Sequence, residues 1–144
     1  MGQRVTDTTA IEASRETIFD IIVDLEAYPD WVDGMLETEI LSSDEHDRPI
    51  RARFRIDARI AEIEYTLEYT YDEPNLSWTL VEGEMISQLD GSYELNDLGD
   101  GRTRVRYSIE ADVDMPVPGF LKKRAARTIL DQGLTGLKQQ AEGG

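Results

Sequence analysis

The stretch Pro116-Val117-Pro118-Gly119-Phe120-Leu121-Lys122-Lys123-Arg124-Ala125-Ala126-Arg127 opens the last ordered segment of the chain, and its reading decides the fold. Proline suits the first turn of a helix, where its missing N–H would have no partner anyway, and no further proline follows. From Phe120 to about Gln140 the pattern predicts one long helix. Some 20 residues of helix span roughly 30 Å, the width of a small domain. Apart from one early helix, everything upstream reads as strands. A lone long helix with one apolar face needs a sheet to cover it, so the expected architecture is α+β: a curved antiparallel sheet wrapped around the C-terminal helix. Gly133 and Gly136 are poor helix formers and mark a close approach or a bend. The Pro116–Gly119 run reads as a hinge that makes this helix the movable wall of a pocket.

Upstream, Arg4 to Ala13 reads as a first strand. Ser14 stands where a helix N-cap belongs, with Glu16 in the first turn where the helix dipole favours an acid. Ile18, Ile21, Ile22 and Leu25 then form one apolar face at helical spacing. That helix is predicted to end near Glu26, because Pro29 pushes Tyr28 out of helical geometry. Six strands follow, at Leu36–Ser42, Ile50–Ala58, Glu62–Tyr71, Leu76–Glu82, Ile86–Asn96 and Arg102–Val113, which makes seven in all. Their connections, including Arg59–Ala61, Gly83–Met85 and Asp97–Gly101, are hairpin-length, so the sheet is expected to be antiparallel.

Strand parity separates the faces. Ala52, Phe54 and Ile56 alternate with Arg51, Arg53 and Arg55. Ile63, Tyr65, Leu67, Tyr69 and Tyr71 alternate with Glu62, Glu64, Thr66, Glu68 and Thr70. If these strands pair, arginines meet glutamates on the outer face. Leu76, Trp78, Leu80, Leu89, Gly91, Tyr93, Leu95, Val105, Tyr107, Ile109, Ala111 and Val113 complete the inner face. A register slip of one residue would bury the charges, so the alternation pins the register.

At 144 residues the chain is expected to form a single domain, 1–144, with Glu142–Gly144 as a frayed tail. The net charge of −15 argues against nucleic acid or an anionic membrane surface as a general partner. The charge is uneven: Phe120–Gln139 carries Lys122, Lys123, Arg124, Arg127 and Lys138 against Asp131 alone. Cysteine is absent, which excludes disulfides, thiolate metal sites and a cysteine nucleophile. No window approaches the ~18 apolar residues of a membrane span. The expectation is a soluble cytoplasmic protein without stable membrane insertion. The short patterns Met1-Gly2-Gln3-Arg4-Val5-Thr6 (myristoylation) and Asn75-Leu76-Ser77 (glycosylation) match often by chance and are set aside.

Catalytic constellations are thin. His46 is the only histidine and lies in a polar run with Asp44, Glu45 and Asp47, which predicts a solvated loop rather than a triad or a metal site. The spacing of those acids does not fit an EF-hand. No glycine loop is built to cradle phosphate, since Gly99 and Gly101 flank Asp100 in a hairpin turn. Of the acids, Glu82 and Asp112 are the two open to facing a pocket mouth. No cofactor or metal is expected. The inner face, by contrast, is apolar with a phenolic fringe: each buried O–H wants a partner that a water or ligand could supply. Gly91, mid-strand on that face, leaves room for a ligand or marks a bend in the sheet.

Several stretches, taken in order, resemble the START-like helix-grip superfamily (SRPBCC, the polyketide cyclase/dehydrase and lipid-transport superfamily). They are Ile11-Glu12-Ala13-Ser14 with Ile18-Phe19-Asp20-Ile21, Asp24-Leu25-Glu26-Ala27-Tyr28-Pro29-Asp30-Trp31, Gly91-Ser92-Tyr93-Glu94-Leu95, Gly101-Arg102-Thr103-Arg104-Val105 and Pro118-Gly119-Phe120-Leu121. The resemblance implies a cavity between the sheet and the terminal helix for an apolar or aromatic small molecule, with Trp31 lining or closing its entrance. It nominates Trp31, Phe54, Tyr65, Tyr69, Trp78, Gly91, Tyr93, Tyr107, Phe120 and Leu121 as ligand-binding residues. Cyclases of the superfamily use an inward arginine on the strand matching Glu62–Tyr71, where this chain has Tyr65, Leu67 and Tyr69. That departure favours binding or carriage of a lipid, quinone or polyketide-like molecule, as in the coenzyme-Q-binding and lipid-transfer branches. Two other readings stay open: a cyclase/dehydratase using tyrosines as acid–base groups, and a protein-interaction module. For the latter, ribosome-association toxins share the fold and Lys122, Lys123, Arg124 and Arg127 form the surface.

Overall fold

Alternating apolar and polar residues, punctuated by turns that favour positive φ, fold the middle of the chain into a single antiparallel sheet. The structure, a computed structural model, describes residues 3–57, 61–114 and 116–143. Its elements run β1 (Gln3–Ile11), α1 (Arg15–Val23), a single 3-10 turn (Leu25–Ala27), α2 (Tyr28–Trp31) and β2 (Met35–Ser43). They continue as β3 (Pro49–Asp57), β4 (Glu62–Asp72), β5 (Asn75–Glu84), β6 (Ile86–Gly99), β7 (Arg102–Val113) and α3 (Gly119–Gly143). The seven strands lie in the order β1-β7-β6-β5-β4-β3-β2. Every neighbouring pair is antiparallel, so this is the helix-grip arrangement.

Turn chemistry sets the ends of the strands. The β6–β7 hairpin turns through Gly99, Asp100 and Gly101, all at positive φ (84°, 56° and 74°), a region that glycine and aspartate tolerate best. The β5–β6 connection is tighter than the predicted Gly83–Met85 loop. Gly83 and Glu84 still belong to β5, and the chain reverses at Met85, at φ 66°. The predicted end of the second strand of that run at Ala58, and the Arg59–Ala61 break, fall largely on residues outside those described.

One expectation about the helices is corrected. Tyr28 is not expelled from helical geometry: its φ and ψ are −54° and −41°, and it begins α2 with Pro29 in the first turn. The chain leaves α1 earlier, at Asp24, where ψ is 73°, so the proline falls where a missing N–H is harmless. At the other end, α3 runs through Glu142 and Gly143. The Glu142 carboxylate accepts from the Glu12 N–H at 2.9 Å and faces Lys138 Nζ at 3.3 Å. The cap of α1 is as expected, the Ser14 hydroxyl accepting from Thr17 N–H at 3.2 Å.

Helix α3 buries Ala125, Ala126, Ile129, Leu130, Gly133, Leu134, Gly136 and Leu137, one face at helical spacing. Each fully buried leucine there contributes roughly 2 kcal/mol. The helix crosses the concave side chiefly over β1 and β7. Strands β3, β4 and β5 are left to cover their aromatic inner faces largely with one another and with α2. On the convex side Arg51, Arg53 and Arg55 pair with Glu68, Glu64 and Glu62 at 3.0, 2.7 and 2.8 Å. Glu37 and Glu39 of β2 extend that ladder. Among the described residues no helix is long and apolar enough to cross a membrane.

Candidate functional site: a tyrosine-walled cavity

Because α3 sits over one half of the sheet, a gap opens between it and the other half. Strand parity sends Phe54 and Ile56 of β3, Tyr65, Leu67 and Tyr69 of β4, and Trp78 of β5 into it. Leu89 and Tyr93 of β6 and Tyr107 of β7 join them. Tyr28, Trp31, Val32 and Met35 close it from the α2–β2 side, Ile129 and Gly133 from α3. None of these residues carries a charge. The space measures about 60 Å³, well under the ~300 Å³ at which ligand pockets usually begin. The aromatic side chains themselves fill the difference. Tyr93 and Tyr107 stack with centroids 4.4 Å apart, Phe54 and Tyr65 at 5.3 Å, and Trp78 lies 5.5 Å from Tyr93 and 5.8 Å from Tyr107.

Five of the six tyrosines of the chain line this cavity and Tyr71 lies further along β4 against Phe19, and burial pushes every one of their pKa values upward. For Tyr107 the neighbouring Tyr93 hydroxyl partly offsets that rise. At neutral pH the wall therefore holds protonated phenols, which donate hydrogen bonds and do not act as bases. Tyr28 donates to the Ile22 carbonyl, and Tyr71 to the Pro49 carbonyl at 2.5 Å. Tyr65 and Tyr69 have no protein hydrogen-bond partner for their hydroxyls among the described residues, and both face the cavity.

Of the ten residues nominated from sequence, Trp31, Phe54, Tyr65, Tyr69, Trp78, Tyr93 and Tyr107 meet in this cavity. The other three do not. Gly91 lies behind the Trp78 ring, which occupies the space its missing side chain leaves. Phe120 begins α3 beyond the sheet and is 65% exposed, and half-buried Leu121 shares that overhanging first turn. Tyr28, Val32, Met35 and Ile129 were not foreseen, and Gly133 was expected as a close approach or a bend but not as part of the wall. Only the packing angle of α3 and the second helical start at Tyr28 bring them in.

The remaining candidates lie elsewhere. Glu82 is exposed, and Asp112 pairs with Lys122 at 3.8 Å. His46 sits in the exposed β2–β3 turn, which Asp44 organises by accepting from the His46 and Arg48 N–H groups, each at 2.9 Å. In the basic stripe, Arg127 is engaged by Asp7 at 2.6 Å and by Asp131 at 3.1 Å, while Lys123 and Arg124 are exposed. Among the described residues no group of three His, Asp or Glu side chains is placed to hold a metal ion.

Fold and cavity together define a protein of the START-like, helix-grip class. The family model for polyketide cyclase/dehydrase and lipid transport matches residues 2–142, and the chain belongs to that family. Solved structures share its fold along the whole chain. A START superfamily protein from Mycobacterium smegmatis is 26% identical with a TM-score of 0.88, the match covering 97% of each chain. The Zhui aromatase/cyclase from Streptomyces sp. R1128 is 13% identical with a TM-score of 0.82, covering 98% of this chain and 94% of that one. A protein from Thermus thermophilus is 19% identical with a TM-score of 0.83, covering 96% of both. No curated protein matches the chain by sequence.

Proposed function

We propose that the chain binds a small, uncharged, planar molecule carrying a hydrogen-bond acceptor, of the quinone or aromatic-ketone type, in the cavity between the sheet and α3. One observation carries the reading: an interior walled without a single charge keeps two phenol donors, Tyr65 and Tyr69, without a protein acceptor among the described residues. Both residues line the cavity, where a ligand carbonyl oxygen supplies the acceptor that a phenol donor wants. Family membership supports the same class of ligand. At about 60 Å³ the space admits a few waters as it stands, so a ring system must displace part of the wall. Met35, at the very start of β2, is the side chain that yields.

Catalysis of the cyclase type is disfavoured by the same residues. Proton abstraction needs a base, and the only ionisable groups on the wall are phenols that burial keeps protonated. Native mass spectrometry after incubation with 1,4-naphthoquinone, a monocyclic aromatic ketone and a fatty acid tests the proposal. Retention of the quinone or ketone, weakened in Tyr65→Phe and in Tyr69→Phe, is expected. Failure to retain either one, or retention indifferent to both substitutions, overturns it.

A further inference from the structure

Outside the cavity, between α3 and the α2–β2 turn, lies a groove of about 320 Å³ that shares a single lining residue with it, Trp31. The indole rests on α3 at Gly136, where a Cβ would stand 3.1 Å from Trp31 Cε3, so the ring forms the partition between the two spaces. The groove is polar where the cavity is not. Thr128, Thr135 and Gln139 of α3 line it, with Gln132 at its floor.

Gln132 is 6% exposed, and its two amide atoms differ in circumstance. Nε2 donates to the Asp57 carbonyl at 3.2 Å, while Oε1 is buried without a hydrogen-bond partner among the described residues. Turning the amide over would set oxygen against the Asp57 carbonyl, so the acceptor is held in place by its own NH2 group. A buried acceptor with no donor is rare and calls for one. The charged residues on the groove, Asp33 and Asp131, are both acidic, and the chain as a whole carries −15, which disfavours an anion there.

We propose that this groove is a second subsite, taking an uncharged, hydroxyl-bearing head group of the sugar or polyol kind that stacks on Trp31 and donates to Gln132 Oε1. Resting on the cavity reading above, it makes the ligand an amphiphile, its apolar ring inside and its polar head outside the indole.

Calorimetric titration of the full chain with phenol, phenyl β-glucoside and phenyl phosphate tests this. The glucoside should bind about tenfold more tightly than phenol, the scale of one buried acceptor gaining its donor, and more tightly than the phosphate. Gln132→Leu should bring the glucoside down to the affinity of phenol and leave phenol unchanged. The double variant Thr135→Val, Gln139→Ala, which alters only exposed side chains, should narrow the gap without disturbing folding. Equal affinity for phenol and glucoside, a preference for the phosphate, or a preference for the glucoside that survives both variants overturns the subsite. Phenol binding without added affinity for the glucoside would leave the cavity reading intact while removing the subsite. Glucoside binding without phenol binding would do the reverse, and binding of neither removes both.

Discussion

The indole of Trp78 on β5 lies over the α-carbon of its cross-strand partner Gly91 on β6, so close that a Cβ there would come within 2.5 Å of Trp78 Cζ2. On the other side the Ser108 carbonyl would stand 2.7 Å away. The glycine thus makes room for a ring that itself touches Tyr69, Tyr93 and Tyr107. Gly91→Ala should destabilise the fold by about 1–3 kcal/mol, the usual cost of forcing a methyl into a packed interior. Urea denaturation measures it. Adding Trp78→Phe should recover only part of the loss, since the Ser108 carbonyl remains. A Gly91→Ala protein as stable as the parent would contradict this account.

The tyrosines give the fold an alkaline limit. Their folded pKa values lie above the ordinary 10.0 because burial disfavours the phenolate. Between the unfolded and folded values the native state therefore holds more protons than the unfolded chain. Stability is fully present below the unfolded value and falls as pH rises past it. Phenolate absorbance should consequently appear in one cooperative step coincident with loss of circular dichroism. A gradual rise near the ordinary value, with the sheet intact, would show the phenols to be solvated.

How much of this was legible beforehand follows from what is local. Period-two alternation carried the inner face of β3 to β7, and with it most of the cavity wall, because parity depends only on neighbours within a strand. Ile129 and Gly133 could not be placed, since which part of the α3 face meets the cavity depends on the angle at which the helix crosses β1 and β7. Phe120, nominated as ligand-binding, lies outside the cavity for a related reason: it stands 65% exposed in the overhanging first turn of α3. Gln132 gave no signal at all. A glutamine within a helix is ordinary, and only its position over Gly34, whose Cβ would meet Nε2 at 2.4 Å, makes its amide a fixed structural group.

On the convex face Arg53 bridges three glutamates, Glu37, Glu39 and Glu64, at 3.1, 3.0 and 2.7 Å. Hydrogen bonds from Arg55 and then Arg53 hold the Glu37 carboxyl below its ordinary value. A depressed carboxyl contributes stability above its unfolded pKa and loses it as pH falls through the folded one. Arg53→Gln should thus lower the melting temperature at neutral pH, by less in molar salt and by least in acid, where the glutamates are protonated. Thermal melts across pH at two salt concentrations check it. An Arg53→Gln penalty equally large in acid would show that the arginine acts through packing of its stem rather than its charge.

Gly133 of α3 faces Tyr107 of β7 so closely that a Cβ would stand 2.8 Å from its Cε2 and 3.4 Å from its hydroxyl. The tyrosine cannot simply retreat, being stacked on Tyr93 at 4.4 Å. Gly133→Ala must therefore lift the helix or press Tyr107 into the cavity. Alanine favours the helix over glycine by about 1 kcal/mol, and the overpacking costs about 1–3 kcal/mol, so the net destabilisation should be modest. Ligand binding, which depends on the remaining space, should fall much further, by tenfold or more in phenol affinity. Gly119→Ala, whose Cβ would meet nothing within 4 Å, is the matched control and should leave phenol affinity unchanged. If Gly133→Ala lowers stability but leaves phenol affinity equal to that of the control, the space between α3 and Tyr107 is not where the ring is held.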